Sequence, residues 1–174
     1  MIHRKLMLRA GILLLGVSLL ATGALLHGCA ARVPAGRAGT PIENALADNA
    51  SLADANLSVA NAVIAAQKNG LISVNGAARV LTAQSMVADG DRQLTILMQT
   101  LAVQLQSNPG ATIDAARVKA LLAQITTAAT GLVSSGDIGI KDANTQKTVI
   151  SSMNSIAQFA GNIASTLTVA GLVK

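Results

Sequence analysis

Apolar residues recur every three or four positions from Thr40 onward, the spacing that places side chains on one face of an α-helix. The first such segment starts with a capping signature: Thr40 can accept a bond from a free amide, Pro41 suits the first turn, and Glu43 can reach back to the cap. Asn69-Gly70 favours the left-handed turn that ends a helix, so we predict a helix from Pro41 to Lys68. Its predicted buried stripe is Leu46, Ala50, Ala53, Leu57, Ala60 and Ile64.

A second amphipathic segment runs from about Val74 to Gln106, with Ser73 as its candidate cap. Within it, Asp89-Gly90-Asp91 interrupts the apolar pattern. Because glycine inside a helix costs about 1 kcal/mol relative to alanine, we predict a kink or short break there. The aspartates lack the closing glutamate of a calcium-binding loop, so we interpret them as a solvated polar turn. The predicted stripe is Ala77, Val80, Gln84, Val87, Leu94, Met98, Leu101 and Leu105.

Two more amphipathic segments follow the turn at 107–110. Thr112 is the predicted cap of the third helix, with Asp114 in its first turn, and Asp142 is the predicted cap of the fourth. The predicted buried positions are Val118, Leu122, Ile125, Ala129 and Leu132, then Val149, Met153, Ile156, Ala160, Ile163, Leu167 and Ala170. Four such helices with short turns predict an all-α fold, an antiparallel four-helix bundle.

The connectors before the second and fourth helices share a pattern. Residues 70–77 and 136–143 each read Gly, any residue, Ile, a small residue, a β-branched residue, two more and then Ala. One interpretation is two similar helical hairpins from an old duplication. The other is that turns between helices require the same residue types. The flanking helices match poorly, so both interpretations stand.

The N-terminal leader is organised differently. Met1 to Arg9 carries bases and no acid, Ala10 to Leu26 is almost wholly apolar, and His27, Gly28 and Cys29 follow. Basic, apolar and small-residue segments in this order are typical of a secretory signal, whose bases stay on the cytoplasmic side.

Leu26-His27-Gly28-Cys29 resembles the lipobox of bacterial lipoproteins, in which an aliphatic residue and two small residues precede the cysteine that receives lipid. Leu26, Gly28 and Cys29 match this pattern, whereas His27 replaces the usual small residue. The resemblance implies a diacylglyceryl group on Cys29, cleavage after Gly28, and usually acylation of the new N-terminus. Two alternatives remain: an uncleaved transmembrane anchor, or cleavage at another small-residue site such as Ala30-Ala31.

The resemblance also implies a domain organisation and an address. Residues 1–28 would be the signal peptide, 29–39 the lipidated N-terminus and a flexible tether, and 40–174 the bundle. In the enterobacterial lipoproteins that the leader resembles, Asp after the lipidated cysteine favours retention in the inner membrane, and this chain has Ala30 there. We therefore expect the inner leaflet of the outer membrane, with the bundle facing the periplasm. The inner membrane is the alternative.

The distribution of charge changes what the net charge of +5 means. Of the 13 bases, five precede Thr40. The other eight bases and all eight acids follow it, so the bundle itself has no net charge. The five early bases are Arg4, Lys5, Arg9, Arg32 and Arg37. A nucleic-acid binder needs a clustered basic face to release counterions, so we exclude a nucleic-acid partner.

The residue types for common catalysis are missing from the predicted mature chain. His3 and His27 lie in the leader, Trp and Tyr do not occur, and Cys29 would carry lipid. This removes histidine general bases, Cys–His pairs and the usual zinc ligands. Chemistry by carboxylates alone stays open, but the eight acids are spread along the chain and give no sign of it. We therefore assign no catalytic, cofactor or metal-binding residue and predict that the protein is not an enzyme.

Three kinds of function fit these observations. We favour a lipid-anchored periplasmic bundle that binds an envelope protein, as an assembly factor or scaffold. Thr148 to Val173 carries no charge and is long enough to span a membrane, although its many Ser, Thr and Asn residues are more typical of a bundle face. A membrane-active protein, of the kind phages use in lysis or exclusion, is therefore the alternative, beside an uncleaved single-span protein. A carrier of a small apolar ligand between helices is the third.

Overall fold

The computed structural model describes residues 39–135 and 138–174, and within these ranges the chain forms four α-helices. They are α1 (Pro41–Lys68), α2 (Val74–Ser107), α3 (Ala115–Ser134) and α4 (Ala143–Val169). The predicted all-α fold is confirmed. Cys29, the lipobox and the tether up to Ala38 lie outside the described residues.

The helices form an antiparallel bundle closed into a square. Each helix packs against its neighbours in sequence, and α1 also packs against α4, which leaves α1 and α3 on opposite corners. Short connectors reverse the chain at each end, so neighbouring helices run antiparallel. Buried positions in α1 and α4 alternate between steps of three and four residues, the repeat of side-by-side helix packing with a shallow crossing angle.

The ends of α1 fall where local chemistry predicts them. The Thr40 amide donates to Glu43 Oε2 over 2.7 Å, and the Glu43 amide donates to Thr40 Oγ1 over 3.4 Å. This reciprocal pair satisfies two amides that the helix leaves without partners. At the other end Asn69 caps the helix and Gly70 takes a φ of 66°, a left-handed conformation that glycine adopts without strain.

The predicted buried stripe of α1 is wrong by about one position. Of the predicted residues only Ala60 is buried, and Leu57 is 47% exposed. The core positions Asn49 and Asn56 are polar, which moves the apparent apolar face to the neighbouring positions. The residues buried in α1 are Ile42, Ala45, Asn49, Leu52, Asn56, Val59, Ala60, Val63 and Ala66.

Helix α2 is continuous from Val74 to Ser107, so the predicted short break at Gly90 is wrong, while the alternative of a kink stays a prediction. Gly90 is buried, and a Cβ atom built there would lie 2.7 Å from Cγ1 of Ile125. The glycine therefore lets α3 approach α2, and the close packing offsets its low helix propensity. The predicted polar turn is wrong as well, since both aspartates lie within the helix: Asp89 is exposed and forms a 2.9 Å ion pair with Arg92, whereas Asp91 is half-buried.

The cap of α3 is Asp114 rather than the predicted Thr112. Its Oδ1 accepts from the amides of Ala116 and Arg117 at 2.8 and 3.3 Å. The helix starts late because Ile113 is extended and pairs with the C-terminal segment: its carbonyl accepts from the Lys174 amide at 3.1 Å. A long-range contact therefore sets this boundary.

At the other end of the bundle, the two similar connectors lie against each other. Ile72 and Ile140 form an antiparallel bridge, supported by a 2.7 Å bond from the Lys141 amide to the Leu71 carbonyl. The sequence match aligns Ser73, which caps α2, with Gly139. The residue that caps α4 is instead Asp142, further along the chain. The second connector is thus longer than the match implies, and the duplication stays a prediction.

The confirmed cap Asp142 gives the bundle a predictable acid sensitivity. Hydrogen bonds from the hydroxyl and amide of Thr145 to Asp142 Oδ2, both 2.7 Å, lower the pKa of this carboxyl below its ordinary 3.8. A carboxyl whose pKa falls on folding stabilises the folded state above its ordinary pKa, and this contribution disappears as pH falls through the lowered value. Asp142→Ala should therefore lower the melting temperature at about pH 7 and change it little at about pH 2.

Thermal melts followed by circular dichroism at both pH values test this expectation. Asp54→Ala is the matched control, since Asp54 is an exposed acid in the middle of α1 and caps no helix. An equal loss of stability at both pH values would contradict the role of the ionised cap.

Candidate functional site

A groove with a volume of about 600 Å³ lies between α3 and α4. Its floor is apolar and buried, formed by Val118 and Leu122 of α3 with Ala160 and Leu167 of α4. Small side chains line the walls, so the groove is shallow and open. The other lining residues are Ala115, Lys119, Ala123, Thr126, Thr127, Ala157, Gly161, Ala164, Thr168 and Val173.

A second groove lies between α2 and α3, with a volume of about 470 Å³. Ala83, Ala128 and Leu132 form its buried floor, and Met86, which is 42% exposed, stands at its edge. Methionine is flexible enough to fit differently shaped neighbours. The remaining lining residues are Ala78, Arg79, Thr82, Thr127, Gly131 and Ser135.

The two grooves flank the exposed side of α3, and Thr127 lines both. After Lys119, no exposed residue of α3 is larger than threonine: they are Ala120, Ala123, Thr127, Thr130, Gly131 and Ser134. We call the two grooves and these residues the α3 face. Arg79 and Lys119 are its only charged residues, and they lie in different grooves near opposite ends of α3.

Two glycines on the α3 face are not required by the packing of the bundle. Gly131 and Gly161 lie inside helices, and a Cβ atom built at either would have no heavy atom within 4 Å. Glycine inside a helix is less favourable than alanine by roughly 0.5–1 kcal/mol. This differs from Gly90, where Ile125 occupies the space. The bundle alone therefore gains nothing from these glycines, whereas a chain approaching the face would gain room.

Asn49 and Asn56 are the two buried polar residues in the described core, 4% and 6% exposed. Asn49 Nδ2 donates to Thr95 Oγ1 at 2.7 Å, and Asn56 Nδ2 donates to the Gln84 carbonyl at 3.2 Å. Within the described ranges, neither Oδ1 atom accepts a hydrogen bond. The amides connect α1 to α2 at two heights, which fixes the register of the pair as a polar core residue does in coiled coils. Because both side chains are buried, we infer that they determine how α1 and α2 pack and do not bind a ligand.

Cys29, the one predicted site residue, lies outside the described residues. Across 39–135 and 138–174, no three His, Cys, Asp or Glu residues group closely enough to hold a metal ion. No helix in these ranges combines the length and hydropathy needed to cross a membrane.

Sequence reasoning did not identify the α3 face, although a signal for it exists. The run from Thr148 to Val173 carries no charge, and neither does a second run in α3, from Ala120 to Ser135. Helix packing brings the two runs side by side along one groove. Comparison with known proteins adds no relative from which a role could be transferred, since no family model, no curated protein and no solved structure matches this chain.

Proposed function

We propose that this protein is a bacterial lipoprotein whose bundle binds another protein of the cell envelope and performs no chemistry of its own. The α3 face is the observation that carries the binding role. The cores of protein interfaces are depleted in charged residues, and the centre of this face, around Thr127, has none.

The anchor in this proposal is lipid on Cys29, supported by the order of basic, apolar and small residues in the leader and by its lipobox resemblance. Each methylene buried in a bilayer adds about 0.8 kcal/mol, so two or more acyl chains hold a protein stably. The flexible segment from Ala30 to Gly39 would reach roughly 15–20 Å. The bundle would therefore act on partners close to its own membrane.

Replacing the anchor residue, Cys29→Ser, should abolish lipid attachment and leave the precursor uncleaved. Metabolic labelling with a palmitate analogue, followed by a gel that separates precursor from mature chain, measures both effects. His27→Ala is the matched control, since it restores the small residue usual in the lipobox and should keep the label. Equal labelling of Cys29→Ser and the parent would refute the lipoprotein proposal.

The proposed location is the inner leaflet of the outer membrane, because Ala30 follows Cys29 where Asp would favour inner-membrane retention. Sucrose-gradient fractionation of cell envelopes should place the parent protein with outer-membrane markers. Recovery with inner-membrane markers as a precursor-length band would support an uncleaved anchor instead.

The second candidate is a membrane-active protein of the phage lysis or exclusion type, in which α4 leaves the bundle and inserts. The charge-free sequence from Thr148 to Val173 favours it, although the hydropathy of α4 is below that of a helix that crosses a membrane. A single experiment on the unit Val33–Lys174 distinguishes the two candidate functions. The unit should stay in solution without detergent if α4 serves the bundle, and bind vesicles or require detergent if α4 inserts.

A further inference from the structure

We propose that the end of the bundle nearest the tether rests on the bilayer that holds the lipid, with the helices pointing away from the membrane. This inference rests on the proposed function, which places the lipid on Cys29. It adds a second contact, between the folded domain and the lipid surface, that the lipid anchor alone does not supply.

The antiparallel fold brings four segments to one end of the bundle. Helix α1 begins there, directly after the first described residues, and α3 begins there too, while α2 and α4 end there. The loop after α2 and the segment after α4 lie together, because the Ile113 amide donates to the Leu172 carbonyl at 2.9 Å. We call residues 39–40, 103–115 and 169–174 the tether end.

The tether end is the part of the bundle that the anchor keeps near the bilayer. The predicted tether, residues 30–39, joins Cys29 to the start of α1 and would reach roughly 15–20 Å. The opposite end lies a full helix further away, since the 28 residues of α1 extend over about 42 Å. Tethering gives even a weak contact a high effective concentration, so such a contact is effective at the tether end.

The surface of the tether end is largely uncharged and partly apolar. Residues 93–113, which include the C-terminal part of α2 and most of the following loop, carry no charged side chain. Val103 near the end of α2 and Val169 at the end of α4 are mostly exposed, and Pro109 is exposed in the loop. Contact with a bilayer would bury these apolar groups without removing water from an ion.

The charges around this surface are balanced. Within the described ranges they are three bases and three acids: Arg117, Lys119, Lys174, Glu43, Asp48 and Asp114. Glu43 Oε2 accepts from the Thr40 amide at 2.7 Å, and Asp114 Oδ1 accepts from the Ala116 amide at 2.8 Å, so both carboxylates are engaged at helix starts. Apolar contact rather than attraction to anionic lipid therefore carries the docking, which should occur on uncharged vesicles.

The opposite end of the bundle combines its exposed apolar surface with charge. Its connectors carry Lys68, Lys141 and Asp142. Val74 begins α2 there and is 76% exposed, compared with 85% for Val169. The two valines have the same side chain and similar exposure at opposite ends of the bundle, so they form a matched pair for an experiment.

Tryptophan fluorescence on vesicles tests the inference, because the sequence contains no Trp or Tyr. The unit Val33–Lys174 with Val169→Trp is joined, through a cysteine added before Val33, to a maleimide lipid in phosphatidylcholine vesicles. Attachment should shift the emission to shorter wavelength, and brominated phosphatidylcholine should quench it. Val74→Trp is the matched control and should show neither change.

A second substitution tests the apolar contact itself. In the Val169→Trp protein, Val103→Asp should abolish the quenching, because a carboxylate would have to leave water at the contact, and Val74→Asp should preserve it. Both positions are exposed, so circular dichroism should show the parent helix content.

The outcomes separate docking from the other proposals. The unattached unit should give no shift with the same vesicles. A shift without attachment would indicate insertion of α4 and overturn the inference, as would equal emission and quenching of the two tryptophan variants after attachment. The synthetic anchor makes this result independent of lipid labelling at Cys29, on which the lipoprotein proposal depends.

Discussion

Replacing Ile163 by Asp should unfold the bundle. Ile163 is fully buried on the core face of α4, about two helical turns from the equally buried Ile156. An unpaired carboxylate in such a site costs several kcal/mol and the contacts of the isoleucine are lost as well. Because a domain of this size is stable by only about 5–15 kcal/mol, the loss is comparable with the whole free energy of unfolding.

The measurement is the thermal melt of each variant by circular dichroism, made on the unit Val33–Lys174. Ile156→Asp should behave like Ile163→Asp. Asn154→Asp introduces the same carboxylate at an exposed position of the same helix and should change the melting temperature little. A cooperative, parent-like melt for Ile163→Asp would show that this face of α4 is not in the core.

The burial of α4 could be predicted because apolar residues occupy every core position. All predicted residues from Val149 to Leu167 are buried, and only Ala170, beyond the last turn, is partly exposed. The same reasoning failed in α1, where Asn49 and Asn56 take core positions. A periodic apolar pattern therefore predicts which residues are buried only where the core positions are themselves apolar.

The ends of some helices are set by neighbouring residues, and the ends of others by residues far away in the sequence. Thr40, Ser73 and Asp142 each accept a bond from the amide three residues ahead, a local contact that a sequence can reveal. The start of α3 depends on Ile113 pairing with the segment that ends at Lys174, a contact that no local pattern encodes. The continuity of α2 likewise depends on the fit of Gly90 to another helix.

The candidate site is less visible in the sequence than the fold. The anchor residue Cys29 is a local signal, so the leader alone suggests it. The α3 face arises only when charge-free stretches of two helices are placed side by side. In the structure Ala123 and Gly161 are exposed, although other alanines of the same two helices are buried. Which face of a helix turns outward is decided by packing, and small residues carry little information about it.

Gly76→Ala should destabilise the bundle, although alanine is the better helix former. A Cβ atom at position 76 would lie 2.5 Å from the backbone oxygen of Ile138 and 3.0 Å from Cα of Gly139. Backbone cannot turn away as a side chain can, so the two connectors must separate. This would strain the bridge between Ile72 and Ile140 and the adjacent hydrogen bonds. We expect a loss of about 1–3 kcal/mol, the usual range for overpacking.

Gly161→Ala is the matched control and should shift stability in the opposite direction. Its Cβ would meet no heavy atom within 4 Å, so the substitution should add roughly 0.5–1 kcal/mol by removing freedom from the unfolded chain. Urea unfolding followed by circular dichroism measures the free energy of unfolding of both variants. Gly90→Ala should lie between them, because Ile125 presents side-chain atoms that can shift. A neutral Gly76→Ala beside a stabilised Gly161→Ala would mean that the connectors do not touch in solution.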